Sequence, residues 1–190
     1  NTAMNAGAAM SIPAIVQAYD FADFDVIVDL GGGRGSLLRG ILEAYDRPRG
    51  ILFDLPEVIA TADQLRHSPV AARCQLVGGD FFEMVPAGAD AYLLRGVLHS
   101  HDDRQAIEIL RRVHQGMRRD GRLLVIDVVL NAANAQDPQT AFMDLMMLAL
   151  VPGRERTEEE FRELFGRAGF RLSRVVDTGQ RNAIVEGVPV

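Results

Sequence analysis

Short apolar runs alternate along the chain with longer stretches in which apolar residues recur every three or four positions. The short runs predict strands, and the longer stretches predict helices. The predicted strands cover residues 26–30, 50–54, 74–77, 91–95, 122–129, 170–177 and 182–186. Because helical stretches separate most of them, the pattern predicts an α/β fold whose mostly parallel sheet carries helices on both faces.

Capping signals and a short loop organise the end of the chain. Asp102 with Gln105, and Thr157 with Glu160, have the spacing of capping boxes and predict two helix starts. Gly169 is placed to end the second of these helices. The link between the last two strands, residues 178–181, is short enough for a hairpin, which predicts an antiparallel end to the sheet.

A glycine turn follows the first strand, with the sequence Asp29-Leu30-Gly31-Gly32-Gly33-Arg34-Gly35. A dinucleotide fingerprint would place its third glycine at Ser36, but the next glycine comes one position earlier, at Gly35. The carboxylate of Asp29 would repel a phosphate and attract a cation, and S-adenosylmethionine offers both an ammonium and a sulfonium. The turn leaves open a methyl-donor site, a dinucleotide site and an ordinary tight turn.

Polar residues gather where the predicted parallel strands end, which is the edge at which such sheets bind ligands. They are Asp29, Asp54, Asp80, Arg95 with His99 just beyond, and Asp127. Asp54 is placed to accept hydrogen bonds from two ribose hydroxyls, and Asp80 with Phe81 is placed to frame an adenine edge. Aspartate is also common in turns and helix caps, so each position taken alone has a structural explanation.

Composition limits the class of protein. The 190 residues, 48% of them hydrophobic, suffice for the core of one domain. The net charge of −6 is spread over mixed runs without a basic stripe, which argues against a nucleic-acid partner. A single cysteine and the lack of a long apolar segment favour a cytoplasmic protein with no membrane span. The four histidines and the cysteine lack metal-ligand spacing, so we predict no metal site.

Several segments together resemble the S-adenosylmethionine-dependent small-molecule O-methyltransferases, a family that includes plant caffeic-acid-type and bacterial antibiotic-tailoring enzymes. The segments are residues 28–33, 53–56, 78–82, 95–103 and 152–157. The resemblance implies a Rossmann-like class I methyltransferase fold over residues 21–190, with a seven-stranded sheet that ends in an antiparallel hairpin. Residues 1–20 resemble the linking helix that follows an N-terminal dimerisation region, which implies a homodimeric parent protein.

The resemblance also implies a cofactor, a substrate class and a set of site residues. The cofactor is S-adenosyl-L-methionine, and the substrate is a small aromatic molecule with a hydroxyl group. The implied cofactor-binding residues are Asp29, Gly31, Gly33, Asp54, Leu55, Asp80, Phe81 and Arg95. The implied catalytic residues are His99 as general base and Asp127 and Glu155 as acids that flank it. A carboxylate beside the imidazole would fix its tautomer and stabilise the imidazolium that forms.

The chain departs from the family pattern directly after the proposed base. The family commonly has an acid and then a tryptophan there, whereas this chain has Ser100 and His101, and His101 is a rival candidate for the base. This departure keeps open a relative that binds the cofactor but has lost methyl transfer or performs other chemistry such as hydroxylation. A third alternative is a nicotinamide-dependent oxidoreductase, against which the Gly35 spacing and the predicted terminal hairpin argue. The methionine-rich residues 142–150 are expected to line an aromatic pocket or to form a core or interface helix.

Overall fold

The computed structural model describes residues 12–131 and 153–190. Within these ranges, residues 12–18 are helical and form α1. The linking helix predicted for residues 1–20 is therefore described only over its second half. The methionine-rich segment 142–150 lies outside the described residues.

One sheet of seven strands forms the centre of the fold, in the order β3-β2-β1-β4-β5-β9-β8. The bounds are β1 Val26–Leu30, β2 Arg49–Asp54, β3 Cys74–Gly78, β4 Ala91–Arg95, β5 Arg122–Asp127, β8 Phe170–Asp177 and β9 Ala183–Pro189. Strands β1 to β5 pair in parallel, and β9 pairs antiparallel with both β5 and β8. The predicted mostly parallel, seven-stranded sheet with a terminal antiparallel hairpin is confirmed.

The helices cover both faces of this sheet. After α1 they are α2 Ser36–Ala44, α3 Pro56–Ile59, α4 Asp63–Arg66, α5 Asp103–Gly116 and α6 Glu158–Ala168. Both predicted capping boxes are confirmed, with Asp102 before α5 and Thr157 before α6. Helix α6 ends at Gly169, which has the left-handed conformation predicted for it. Two apolar clusters, one on each face, bury the sheet completely in the β1, β4 and β5 region.

The predicted fifth strand, residues 122–129, was too long. Strand β5 ends at Asp127, and the chain then leaves the sheet to form β6, Val129–Leu130. Strand β6 pairs in parallel with β7, Arg156–Thr157, so that Val129 faces Arg156. The apolar run continues through the break because both parts are shielded from solvent, and hydrophobicity alone therefore gave no sign of it.

Candidate functional site

The glycine turn after β1 bends under the carboxyl end of the sheet. Gly31 has φ +70° and donates its amide to the Phe53 carbonyl at 2.8 Å. Gly33 has φ +61° and donates its amide to Asp54 Oδ2 at 2.8 Å. A side chain at Gly31 would lie 2.9 Å from Val97 Cγ2, so the turn needs glycine there for space as well as for conformation. The turn thereby presents bare backbone to the space above β1 and β2.

Asp29 lies beneath this turn instead of lining the space above it. Its side chain is 1% exposed, and a Cβ on Gly32 would meet its carboxyl carbon at 2.5 Å. Among the described residues, neither carboxylate oxygen has a well-formed hydrogen bond. Burial raises the pKa of Asp29 to about 7, against the opposing effects of the Arg95 guanidinium and the Leu38 amide. A buried carboxylate in this state attracts any cation that binds next to the turn.

Asp54 closes β2 and faces the same space. Its Oδ2 accepts the Gly33 amide and its Oδ1 accepts the Leu55 amide, each at 2.8 Å. A carboxylate has about four acceptor positions, so two backbone donors fix its orientation and leave acceptor positions for a ligand. Leu55 follows with 43% of its surface exposed, which is unusual for a large apolar side chain in this fold. An acceptor beside an exposed apolar surface suits a ribose attached to a flat base.

Aromatic rings gather at the far end of the space. Phe81 and Phe82 pack edge to face at 5.1 Å, and the His101 ring packs against them at 5.8 and 5.5 Å. His101 Nδ1 lies 2.8 Å from the Val97 carbonyl, which can only accept, so Nδ1 carries a proton and, in the neutral ring, Nε2 is an acceptor. Asp80 Oδ1 accepts the Phe82 amide at 2.8 Å and holds this turn in place. His101 therefore belongs to the aromatic end of the space.

These groups line one cleft with a volume of about 400 Å³. Its lining residues are Gly31, Asp54, Leu55, Gly79, Asp80, Phe81, Phe82, Gly96, Val97, Ser100 and His101. The volume lies within the range that holds a cofactor-sized ligand. Five of the predicted cofactor residues thus line one cleft, whereas Asp29, Gly33 and Arg95 do not belong to its lining.

Arg95 is not among the residues that line the cleft. The half-buried guanidinium interacts electrostatically with Asp29 on one side and with Asp127 on the other. Burial lowers the pKa of Arg95, and both carboxylates act in the opposite direction. The attraction of two buried carboxylates accounts for a position behind the cleft.

His99 stands next to the cleft on a short turn, Leu98–Ser100, that follows β4. Its side chain is 22% exposed, and its Nδ1 lies 3.6 Å from Glu155 Oε1. Gly96, which lines the cleft, would carry a Cβ only 3.6 Å from His99 Nε2. Burial lowers the pKa of His99, but the Glu155 and Asp127 carboxylates outweigh that effect, so the net shift is upward. His99 is not itself a lining residue, but one of its ring nitrogens faces a carboxylate while the other lies near Gly96 of the cleft lining.

Asp127 and Glu155 meet His99 because of the small β6–β7 ladder. Val129 pairs with Arg156, so Asp127, two residues before Val129, and Glu155, directly before Arg156, both lie near the start of this ladder. Their side chains are 2% and 3% exposed, respectively. Asp127 Oδ1 accepts the Gly96 amide at 3.0 Å, and burial raises the pKa of Asp127 to about 7 while His99 acts to lower it. The predicted catalytic residues therefore form one base cluster, defined as His99, Asp127 and Glu155.

Two residues of this region escaped the sequence analysis. Arg156 is 1% exposed, although arginine is rarely buried, and it donates to groups on either side of His99. Gly153 packs so closely on the turn that a Cβ would lie 1.9 Å from the His99 carbonyl oxygen. Both residues belong to a segment that resembles the family, but nothing in their spacing showed which contacts they make.

The described residues contain neither a cluster of metal-binding side chains nor a membrane-spanning helix. In the described ranges, no group of three or more histidine, cysteine, aspartate or glutamate side chains is arranged to hold a metal ion. No helix within those ranges has the length and hydropathy needed to cross a membrane.

Comparison with known proteins agrees with this geometry. A family model described as an O-methyltransferase domain matches residues 1–171. The phenazine O-methyltransferase of Lysobacter antibioticus is 44% identical over 179 residues, which cover 93% of this chain and 52% of that protein. The solved structure of a mitomycin 7-O-methyltransferase has a TM-score of 0.95 and 40% identity, covering 99% of this chain and 56% of that one.

A third similar protein was solved with ligands. It is an O-methyltransferase from neocarzinostatin biosynthesis in complex with S-adenosylmethionine and 2-hydroxy-5-methyl naphthoic acid. Its TM-score is 0.87 at 33% identity, and the match covers 99% of this chain and 57% of that one. The chain thus spans about half the length of the relatives it matches. The family match, taken with the sheet order and the cleft, shows that this chain belongs to the O-methyltransferase domain family.

Proposed function

We propose that the protein transfers a methyl group from S-adenosyl-L-methionine to a hydroxyl of a small aromatic natural product, with His99 as the base. The observation that carries this proposal is the orientation of the His99 ring, whose Nε2 lies near Gly96 of the cleft lining while Nδ1 faces Glu155. A base in this position can take a proton from an oxygen held at the mouth of the cleft.

The cleft fits the proposed cofactor group by group. The carboxylate of Asp54 suits the ribose hydroxyls, and the rings of Phe81, Phe82 and His101 suit a purine. The bare backbone of the glycine turn leaves room for the amino-acid part. The buried charge of Asp29 beneath that turn favours the ammonium and sulfonium groups. The cofactor supplies a methyl group bound to a positively charged sulfur.

His99 receives the proton as the acceptor oxygen forms its new bond to the methyl carbon. The electrons of the broken carbon–sulfur bond stay on sulfur, which becomes neutral, and the hydroxyl proton ends on Nε2. A free phenol has a pKa of about 10 and a free histidine about 6.5, so the imidazolium needs stabilisation. Glu155 at 3.6 Å and the nearby Asp127 provide it, and the proton on Nδ1 facing Glu155 keeps Nε2 available.

His99 is a better candidate for the base than His101. The His101 ring packs among Phe81 and Phe82, and its Nδ1 bonds a neutral carbonyl that gives no charge stabilisation. We assign His101 to the purine end of the cleft, where its Nε2 can accept a hydrogen bond from an exocyclic amine. His101 then occupies the position at which the family commonly has tryptophan, without a role in proton transfer.

The acceptor and the assembly follow from the same resemblance. Since a similar enzyme was solved with a hydroxylated naphthoic acid, fused hydroxylated aromatic rings are the acceptors to test first. The described chain provides the base and the cofactor cleft, and 2-hydroxy-5-methyl naphthoic acid is a suitable first probe. Homodimerisation of the native protein, a cytoplasmic location and the absence of a metal stay predictions from the sequence.

Isotope transfer tests the proposed function. The native protein is incubated with S-adenosylmethionine labelled in its methyl group and with a panel of hydroxylated naphthoic acids and hydroxyphenazines. We expect label in the product of at least one acceptor and none when the acceptor hydroxyl is replaced by hydrogen. Tight binding of S-adenosylhomocysteine without transfer to any member of the panel would favour a relative that has lost methyl transfer.

A further inference from the structure

The turn that carries His99 is held by a buried arginine from a distant part of the chain. Arg156 Nη1 donates to the Leu98 carbonyl and Nη2 to the His101 carbonyl, both at 2.8 Å. These carbonyls lie before and after His99. The same guanidinium donates from Nε and Nη2 to Asp103 Oδ1, at 3.0 and 2.9 Å. One side chain therefore joins both sides of the turn and the first residue of α5.

The chemistry of this contact is specific to arginine. A guanidinium presents its donors in a rigid planar fork, whereas a lysine ammonium is a single point of charge on a flexible stem. Arg156 is 1% exposed, and its partner Asp103 is the carboxylate that offsets the cost of burying it. Burial raises the pKa of Asp103, but the guanidiniums of Arg156 and Arg154 outweigh burial, so the net shift is downward. The ion pair is thus present throughout the neutral pH range.

Arg156 is also tied to the carboxylate that faces the base. Glu155 directly precedes it, and both belong to the segment that pairs with β6 at Val129. Gly153, at the start of the segment, is packed against the His99 carbonyl too closely for any side chain. The segment therefore touches the His99 turn through its backbone, through the Glu155 carboxylate and through the Arg156 guanidinium. A shift of Arg156 moves Glu155 relative to the imidazole.

We propose that Arg156 is a positioning residue for the base, because it fixes the carbonyls on both sides of His99 to the segment that carries Glu155. Its function is to hold Nδ1 of His99 and Oε1 of Glu155 at their separation of 3.6 Å. The inference rests on the proposed function only in that His99 is the base. The contacts themselves can be tested without any methyl acceptor.

A purely structural role is the alternative, and the chain offers a matched control for it. Arg73 is a half-buried arginine at the start of β3, distant in the sheet from the base cluster. It donates to the carbonyls of Tyr45, Asp46 and Pro48, and to that of Leu42, at the end of α2. Arg73→Lys removes a comparable set of carbonyl contacts. Its effect on Tm measures what such a loss costs when the base is not involved.

The test is an NMR titration of the histidine rings in the native protein and in Arg156→Lys. Lysine keeps the positive charge, so the electrostatic effect of position 156 on His99 is largely preserved while the fork is lost. The groups that set the pKa of His99 are Glu155, Asp127 and Arg156, and the first two raise it. We expect the pKa of His99 to fall toward the ordinary histidine value in Arg156→Lys, because Glu155 is no longer held at the ring. In Arg73→Lys we expect a lower Tm and an unchanged His99 titration.

A second variant keeps the test decisive if Arg156→Lys does not fold. Asp103→Asn weakens the other end of the contact at a site that is 43% exposed, and the charge of Asp103 is not among those acting on His99. A smaller downward shift of the His99 pKa is expected there. An unchanged His99 titration in the folded Arg156→Lys, or in Asp103→Asn where that variant alone folds, would overturn the proposal even if Tm falls.

Kinetics separate this proposal from the proposed function. With an acceptor from the naphthoic acid panel, Arg156→Lys is expected to lower kcat by about 10- to 100-fold, the effect of a misplaced catalytic group, and to change KM for the cofactor by less, through the His101 carbonyl that the same guanidinium holds. If the NMR shift is seen and native protein transfers no methyl group, the positioning role stands and the methyl-transfer assignment fails. If methyl transfer is seen and the NMR shift is not, the methyl-transfer assignment stands and the positioning role fails.

Discussion

The cofactor cleft and the base cluster lie side by side at one edge of the sheet, but they are built in different ways. The cleft is formed by short segments that each follow a strand, and its polar groups are oriented by near neighbours, as when Asp54 accepts the Leu55 amide. The base cluster joins three distant segments through the β6–β7 ladder and the ion pair of the buried Arg156 with Asp103. The proposed cofactor site therefore rests on local backbone geometry, whereas the proposed proton-transfer site rests on long-range contacts.

The largest expected effect concerns the base cluster alone. His99→Gln removes the proton acceptor, and kcat should fall by about 10²- to 10⁴-fold, the usual contribution of a general base. The affinity for S-adenosylhomocysteine, measured by calorimetry, should not change. The matched control is His101→Gln, for which we expect weaker cofactor binding and a kcat that recovers at saturating cofactor. The opposite result for the two histidines would assign the base to His101.

Asp54→Asn should have the opposite pattern to His99→Gln, with weaker cofactor binding and little change in kcat at saturating cofactor. An amide loses one of the charged acceptors for ribose, so we expect the Kd of S-adenosylhomocysteine to rise by about 10- to 100-fold. The exposed Asp63, which pairs with the exposed Arg66 in its own helix, provides the control variant Asp63→Asn. In Asp54→Asn, saturating cofactor should restore most of the native kcat. A large kcat defect with unchanged affinity would mean that Asp54 acts on the base cluster and that the two regions are not separate.

Glu155→Gln sharpens the comparison through its pH dependence. The Glu155 carboxylate raises the pKa of His99, and a neutral amide would not, so the pKa of His99 falls in the variant. Because the base must be neutral to accept a proton, the acidic limb of the kcat profile should move to lower pH. The plateau at higher pH should drop by about tenfold, since the imidazolium loses its partner. An acidic limb that stays in place would show that Glu155 does not act on His99.

The smallest expected effect concerns stability rather than activity. Burial raises the pKa of Asp29 from 3.8 to about 7, so the folded protein binds that proton more tightly than the unfolded chain does. Stability is therefore lost as pH rises through this window, and Asp29→Asn removes the loss. The difference in Tm between the variant and the native protein should therefore rise between about pH 4 and pH 7. The expected rise is about 2–4 °C for each kcal/mol of unfolding free energy that the native protein loses. Asp63→Asn should show no such trend.

The same substitution should weaken cofactor binding, which makes it a test of what the buried charge does. A pH-independent Tm difference between Asp29→Asn and the native protein would show that Asp29 is paired in solution. Unchanged affinity for S-adenosylmethionine would show that its charge does not reach the ligand.

The residues of the cleft could be predicted from the sequence more easily than those of the base cluster, for a physical reason. Parallel strands end at one edge, so Asp54, Asp80 and His99 could be placed near each other from the order of strands alone. The family resemblance was needed to bring in Glu155. Arg156 was missed because its partner Leu98 is 58 positions away in the sequence. The sequence also does not show whether an arginine is buried or exposed.

Two other features depend on long-range interactions that the local sequence pattern does not show. Strand β5 was expected to reach Val129, but the chain leaves the sheet after Asp127, and the apolar run hides the break. Arg95, which stays a predicted cofactor residue, also interacts with the buried charges of Asp29 and Asp127. Neither effect depends on the residues next to it in the sequence, so neither had a local signal.

The most direct test of two separable regions is a calorimetric titration of S-adenosylhomocysteine into the native protein, His99→Gln and Asp54→Asn. The account predicts the same Kd for the native protein and His99→Gln, and a Kd about 10- to 100-fold higher for Asp54→Asn. Equal binding by all three, or loss of binding in His99→Gln with Asp54→Asn unaffected, would contradict it.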